Sequence, residues 1–130
     1  MSKLLKGTFL VHAIVALVLG AACLLAPGHV LGWLGFPGLD GFGNFFARLV
    51  GAAMLALAWM SFRGWLASAW EQVARIVEGE VFFTVLGCVG LLRLGLRGHW
   101  GWLLWASFGI LGAFALLWIV CLLQGNKAER

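Results

Sequence analysis

The chain has 130 residues, enough for one domain, of which 63% are hydrophobic and 11% charged, with a net charge of +4. Soluble domains are about 45–50% apolar and about 25% charged, so this composition excludes a water-soluble fold and requires lipid as the solvent. The basic residues are scattered at segment ends rather than clustered, which assigns the charge to topology and headgroup contact rather than to nucleic acid.

A hydrocarbon core about 30 Å thick needs about 20 apolar residues per helix. Four stretches qualify, at about 8–26, 44–62, 74–92 and 100–123, and predict an all-α integral membrane four-helix bundle with residues 1–130 as a single transmembrane domain. In the first span Ala16 and Gly20 form a small-residue seam, and Pro27 and Gly28 stop the helix. Its apolar run is longer than the about 7–15 residues of a signal-peptide core, so it is expected to stay in the membrane rather than be cleaved. The following "PGHVLGWLGFPGLDGFG" is too rich in Gly and Pro for a long helix, and its Val, Leu, Trp and Phe place it on the membrane surface or over the bundle mouth.

The second span, "NFFARLVGAAMLALAWMSFR", carries a seam of Ala47, Gly51 and Ala58 with Met54, flanked by Arg48. Before the third span, "SAWE" (Ser68 to Glu71) fits a capping box and predicts a helix start at Ser68. Glu71, Arg75 and Glu78 share one stripe and read as an ion-pair ladder. Glu80 lies about 200° from Glu78 and lines up with Thr84, Gly87 and Leu91, the expected packing face. The fourth span offers a looser seam at Gly109 and Gly112.

Four spans put both termini on one side. Lys3, Lys6, Arg63, Arg75, Lys127 and Arg130 fall there, against Arg48, Arg93 and Arg97 opposite, which predicts cytoplasmic termini. The expected location is a bacterial inner membrane. Trp33, Trp100, Trp102 and Trp105 suit an outer aromatic belt, and Trp59, Trp65, Trp70 and Trp118 an inner one.

Ionisable groups inside spans are functional candidates. At 1.5 Å per residue Glu80 lies about 20 Å below Arg93, and His12 about 22 Å below Pro27, so the two meet at one depth as a candidate buried polar pair, structural or functional. Arg48 is only about 6 Å below Asn44, at the outer mouth, where it serves loop carbonyls, Asp40 or a phosphate headgroup. With Trp33 and Phe36 it forms a candidate ligand or headgroup site. The three cysteines, Cys23, Cys88 and Cys121, have no metal or redox spacing and read as small core residues. No catalytic, metal or nucleotide pattern occurs, so neither enzyme activity nor a cofactor is expected.

The first helix ending in Pro, the outer "LG-x-x" loop and "ARLVGAAMLALAWMSFR" resemble the DoxX-like small four-helix membrane proteins. The Ala47-Arg48-x-x-Gly51 start with Arg63 at the end is also similar to the ergosterol-biosynthesis scaffold family. The likeness covers about residues 24–92 and carries over no catalytic residue. It implies a four-helix bundle acting as an accessory or assembly subunit beside a membrane enzyme, some DoxX relatives being quinone-linked. The expected function is a non-enzymatic scaffold that packs against another membrane protein or itself, with membrane lipids as partners. A lipid- or quinone-type ligand site, or a small transporter using Glu80 and His12, are the alternatives.

Overall fold

The computed structural model describes residues 1–33, 38, 40–98 and 101–128. The chain forms α1 (Lys3–Leu25), α2 (Pro27–Trp33), α3 (Gly41–Leu66), α4 (Ala74–Leu96) and α5 (Trp102–Ala128). Four of these, all but α2, are long and apolar enough to cross a membrane. The fold is an all-α four-helix bundle, and the coarse reading as a membrane protein follows from it.

Helices α1 and α3 start before the predicted spans because their caps lie in the polar flanks. Ser2 Oγ accepts from Leu5 N at 3.1 Å and starts α1 before the apolar run begins. Asp40 Oδ1 accepts from Gly43 N at 2.6 Å and starts α3. Asp40 therefore serves as a helix cap. After the first span the chain forms the short α2 of seven residues, compatible with the reading that its Gly and Pro disfavour a long helix. Pro27 stands at its first position, where a missing N–H costs nothing and the fixed φ suits a helix.

The capping box at Ser68 does not form. Residues 67–73 make a turn, in which Gln72 Oε1 accepts from Ser68 N at 3.1 Å, and α4 begins at Ala74. The reason is tertiary. A Cβ on Gly125 would strike the Trp70 ring, and Val73 is fully buried, so the turn drives both side chains into the bundle. Glu71 is left exposed ahead of the helix, and the ladder reduces to Arg75 Nη1 and Glu78 Oε2 at 3.2 Å, both on the surface.

Two tight pairs build the bundle: α1 with α3, and α4 with α5. The α1–α3 pair is antiparallel and in close register. Phe9 faces Gly64, His12 faces Ser61, Gly20 faces Gly51, and Leu24 faces Arg48. Small residues permit this approach, because membrane helices associate by close packing rather than by escape from water. The main buried cluster lies toward the terminal side, where Leu5 and Phe9 of α1 meet Val73 of the turn, Val77 of α4 and Phe114, Trp118 and Cys121 of α5.

The Gly109–Gly112 seam does not pack inside the chain: nothing lies within 4 Å of a Cβ built on either glycine. Trp118 departs from its expected place as well. It is fully buried instead of interfacial, and its ring meets Phe9 edge-on at 4.9 Å. Trp59, Trp102 and Trp105 are exposed, as belt residues should be. Trp100 lies outside the described residues.

Candidate functional site

The α1–α3 register places two polar sites at opposite ends of one seam. At the end away from the termini, α1 stops at Leu25 with carbonyls that have no helical partner. Arg48 Nη1 donates to Leu24 O at 2.7 Å. A cation there suits the negative end of the helix dipole. Arg48 is exposed, and its guanidinium closes this end of the pair. Trp33 ends α2 with its ring exposed. Phe36, the third member of the expected headgroup site, lies outside the described residues.

Toward the terminal side the same seam carries a buried polar cluster. His12 Nδ1 is 2.8 Å from Ser61 Oγ, Ser61 Oγ is 3.1 Å from Glu80 Oε1, and His12 Nδ1 is 3.4 Å from that same oxygen. The three residues come from α1, α3 and α4. Ser61 and Glu80 are 0% and 1% exposed. Thr84 Oγ1 donates to Glu80 O at 2.7 Å, which satisfies the hydroxyl within its own helix. Thr8 does the same one turn below His12, donating to Leu4 O at 3.0 Å.

The walls are aromatic. The His12 ring meets Phe114 edge-on at 4.8 Å and Trp118 at 5.6 Å. Two polar atoms in this region are buried without a hydrogen-bond partner: Glu80 Oε2 and Trp118 Nε1. Such orphans are uncommon in native folds and mark places with a special role. Among the described residues no group of three His, Cys, Asp or Glu is placed to hold a metal.

The structure thus brings His12 and Glu80 together and keeps Arg48 apart from both. Sequence reasoning missed Ser61, which bridges them. Its signal was available: residues 47, 51, 54, 58 and 61 step by four and three, so Ser61 continues the seam. It also missed Trp118 as a wall of the cluster.

Comparison with known proteins leaves the site to its own chemistry. No family model, curated protein or solved structure matches this chain.

A cleft of about 510 Å³ opens where α3 ends and α4 begins, lined by Arg63, Leu66, Ala67, Gln72, Val73 and Ile76. It lies on the terminal side of the bundle, opposite Arg48.

Proposed function

We propose that this protein is a non-enzymatic scaffold or accessory subunit that packs against another membrane protein or against copies of itself. One observation carries the reading. Gly79, Phe83, Leu86 and Gly90 step by four, three and four along α4, so they share one stripe. Both aromatic and aliphatic members are exposed, and a Cβ on either glycine would meet nothing within 4 Å. Lipid tails give glycine no advantage, whereas a second helix backbone does. Meanwhile the polar groups are turned inward. Arg48 closes α1 on α3, and the His12–Ser61–Glu80 cluster is sealed between three helices, the geometry of a joint rather than of a pore. The resemblance to DoxX-like accessory proteins points the same way.

The test is native mass spectrometry from mild detergent on wild type and on the Gly79→Leu, Gly90→Leu double variant. Wild type should fly as a defined complex, and the double variant as a folded monomer. A wild type that is a lone, lipid-free monomer, or a double variant with its complex intact, refutes the proposal.

We further place the protein in a bacterial inner membrane with both termini in the cytoplasm. The support is the excess of Lys and Arg on the terminal side. In a background without native cysteines, a cysteine at Gly38 should label from outside intact cells and one at Asn126 should not. The opposite pattern reverses the orientation.

A further inference from the structure

The buried cluster contains one serine hydroxyl between two groups that both need its proton. Ser61 Oγ is within hydrogen-bond reach of His12 Nδ1 and of Glu80 Oε1. A hydroxyl carries one proton and donates to one of them. The protonation states of all three residues are therefore linked.

If Ser61 donates to Glu80, His12 Nδ1 must carry a proton and donate to Ser61. Glu80 is then either ionised, beside a neutral imidazole or an imidazolium, or protonated on Oε2 with a buried O–H that has no acceptor. If Ser61 instead donates to Nδ1, Glu80 Oε1 must carry the proton and donate to Ser61. Both ionisable side chains are then neutral, with the histidine proton on Nε2.

The orphan oxygen decides between them. A carboxylate spreads its charge over both oxygens, and Glu80 Oε2 has no donor. A carboxylic acid protonated on Oε1 leaves Oε2 as a carbonyl oxygen, which burial penalises far less. Apart from His12, whose Nδ1 is 3.4 Å from Oε1, the described residues offer the carboxyl no charged partner. On α1 the cluster faces His12 itself. On α3 it faces Ser61, while Arg63 is exposed. On α4, Arg75 and Glu78 pair with each other at the surface. On α5 the aromatic rings and Cys121 close the core.

We propose that His12, Ser61 and Glu80 form a buried proton-binding site, which holds one proton on Glu80 Oε1 at rest and can pass it through Ser61 Oγ to His12 Nδ1. The transfer is balanced. The O–H bond at Oε1 breaks as a new one forms at Oγ, and the original serine O–H breaks as N–H forms at Nδ1. The pair passes from neutral acid and neutral imidazole to carboxylate and imidazolium, with no proton gained or lost. This site lies in the joint between α1, α3 and α4, so the proton's position sets the charge at the seam of the bundle.

Infrared spectroscopy and nitrogen-15 histidine NMR of the protein in lipid nanodiscs at neutral pH test the assignment. The spectrum should show a carboxylic acid C=O band at the high-frequency end of its range, as expected for a carbonyl without a donor. Glu80→Gln should abolish it. The His12 signals should show a neutral ring with Nδ1 as acceptor and Nε2 protonated. In Ser61→Ala the band should shift and the fixed tautomer should be lost. Should Glu80→Gln fail to fold, carbon-13 glutamate labelling of wild type gives the same answer. Glu71 and Glu78 are exposed and give the reference signals against which the Glu80 carboxylic acid signal is read. A spectrum of carboxylates alone, or a His12 ring protonated at Nδ1, overturns the proposal. An unchanged tautomer and band in Ser61→Ala overturns the relay.

Discussion

Replacing Gly51 by alanine should loosen α1 from α3 and cost about 1–3 kcal/mol, the range for forcing extra atoms into a packed site. A Cβ on Gly51 would lie 2.6 Å from Leu24 N and 2.8 Å from Gly20 O. Both are backbone atoms, so no rotamer change relieves the clash and one helix must move. Gly20 sits in the mirror situation, 3.0 Å from Gly51 O and Leu55 N. The loss should spread along the seam, because one register sets every α1–α3 pair from Phe9 and Gly64 to Leu24 and Arg48. Gly51→Leu should therefore also disrupt the His12–Ser61 contact, about ten residues away on α3. Gly7→Ala is the control, since nothing lies within 4 Å of its added methyl and Gly7 lies outside the α4 stripe. Its stability should equal or exceed that of wild type, as alanine is the better helix former. Unfolding by added SDS in mixed micelles, followed by tryptophan fluorescence, reads both. A Gly51→Ala protein as stable as Gly7→Ala would show that backbone approach is not what holds the pair.

This seam is legible in the amino-acid sequence because it rests on two simple regularities. Small residues recur at helical spacing in α1 and α3, and antiparallel neighbours pair ascending with descending numbers. Depth is legible too. Rise per residue levels His12 with Glu80, and the fold places them 3.4 Å apart. Rotation is harder. Trp118 has an interfacial depth, but it shares a face with Phe114 and Cys121, all buried. The middle of α5 is apolar all round, so its sequence carries no contrast to say which side turns inward. The same lack of contrast misplaces the Gly109–Gly112 seam. Ser68 misleads for a different reason. A capping box is a local preference worth about 1 kcal/mol, and burial of Trp70 and Val73 in the turn outweighs it. Ser61 escapes notice when its seam is read only as backbone approach. A hydroxyl at the next step of that seam is small enough to pack and polar enough to join His12 to Glu80.

The second large effect should come from Trp118→Ala. Trp118 is the largest fully buried side chain, with Phe9 edge-on against it and the His12 ring beside it. In water-soluble cores, truncating a buried Trp or Phe to Ala costs about 3–5 kcal/mol, as the sum of lost transfer energy and a cavity. In lipid the transfer part largely vanishes, because the unfolded helix leaves its side chain in an apolar solvent. The lost contacts remain, since a void too small to fill deprives its lining of dispersion partners. A cost of about 2–3 kcal/mol is therefore expected, below the soluble range. Trp118→Phe separates volume from hydrogen bonding. The indole Nε1 is buried without a partner, so removing it forfeits no bond and relieves an unsatisfied donor. The phenylalanine variant should lose less than half as much as the alanine variant, despite its smaller ring. The same SDS titration measures both. If phenylalanine proves as damaging as alanine, the indole N–H makes a bond that matters, and the wall of the proton site has a polar partner of its own. The cavity left by alanine also lies against the His12 ring, so that variant should let water reach the cluster. Its carboxylic acid band should then exchange with deuterium faster than in wild type, which links the packing of α5 to the proton held between α1, α3 and α4.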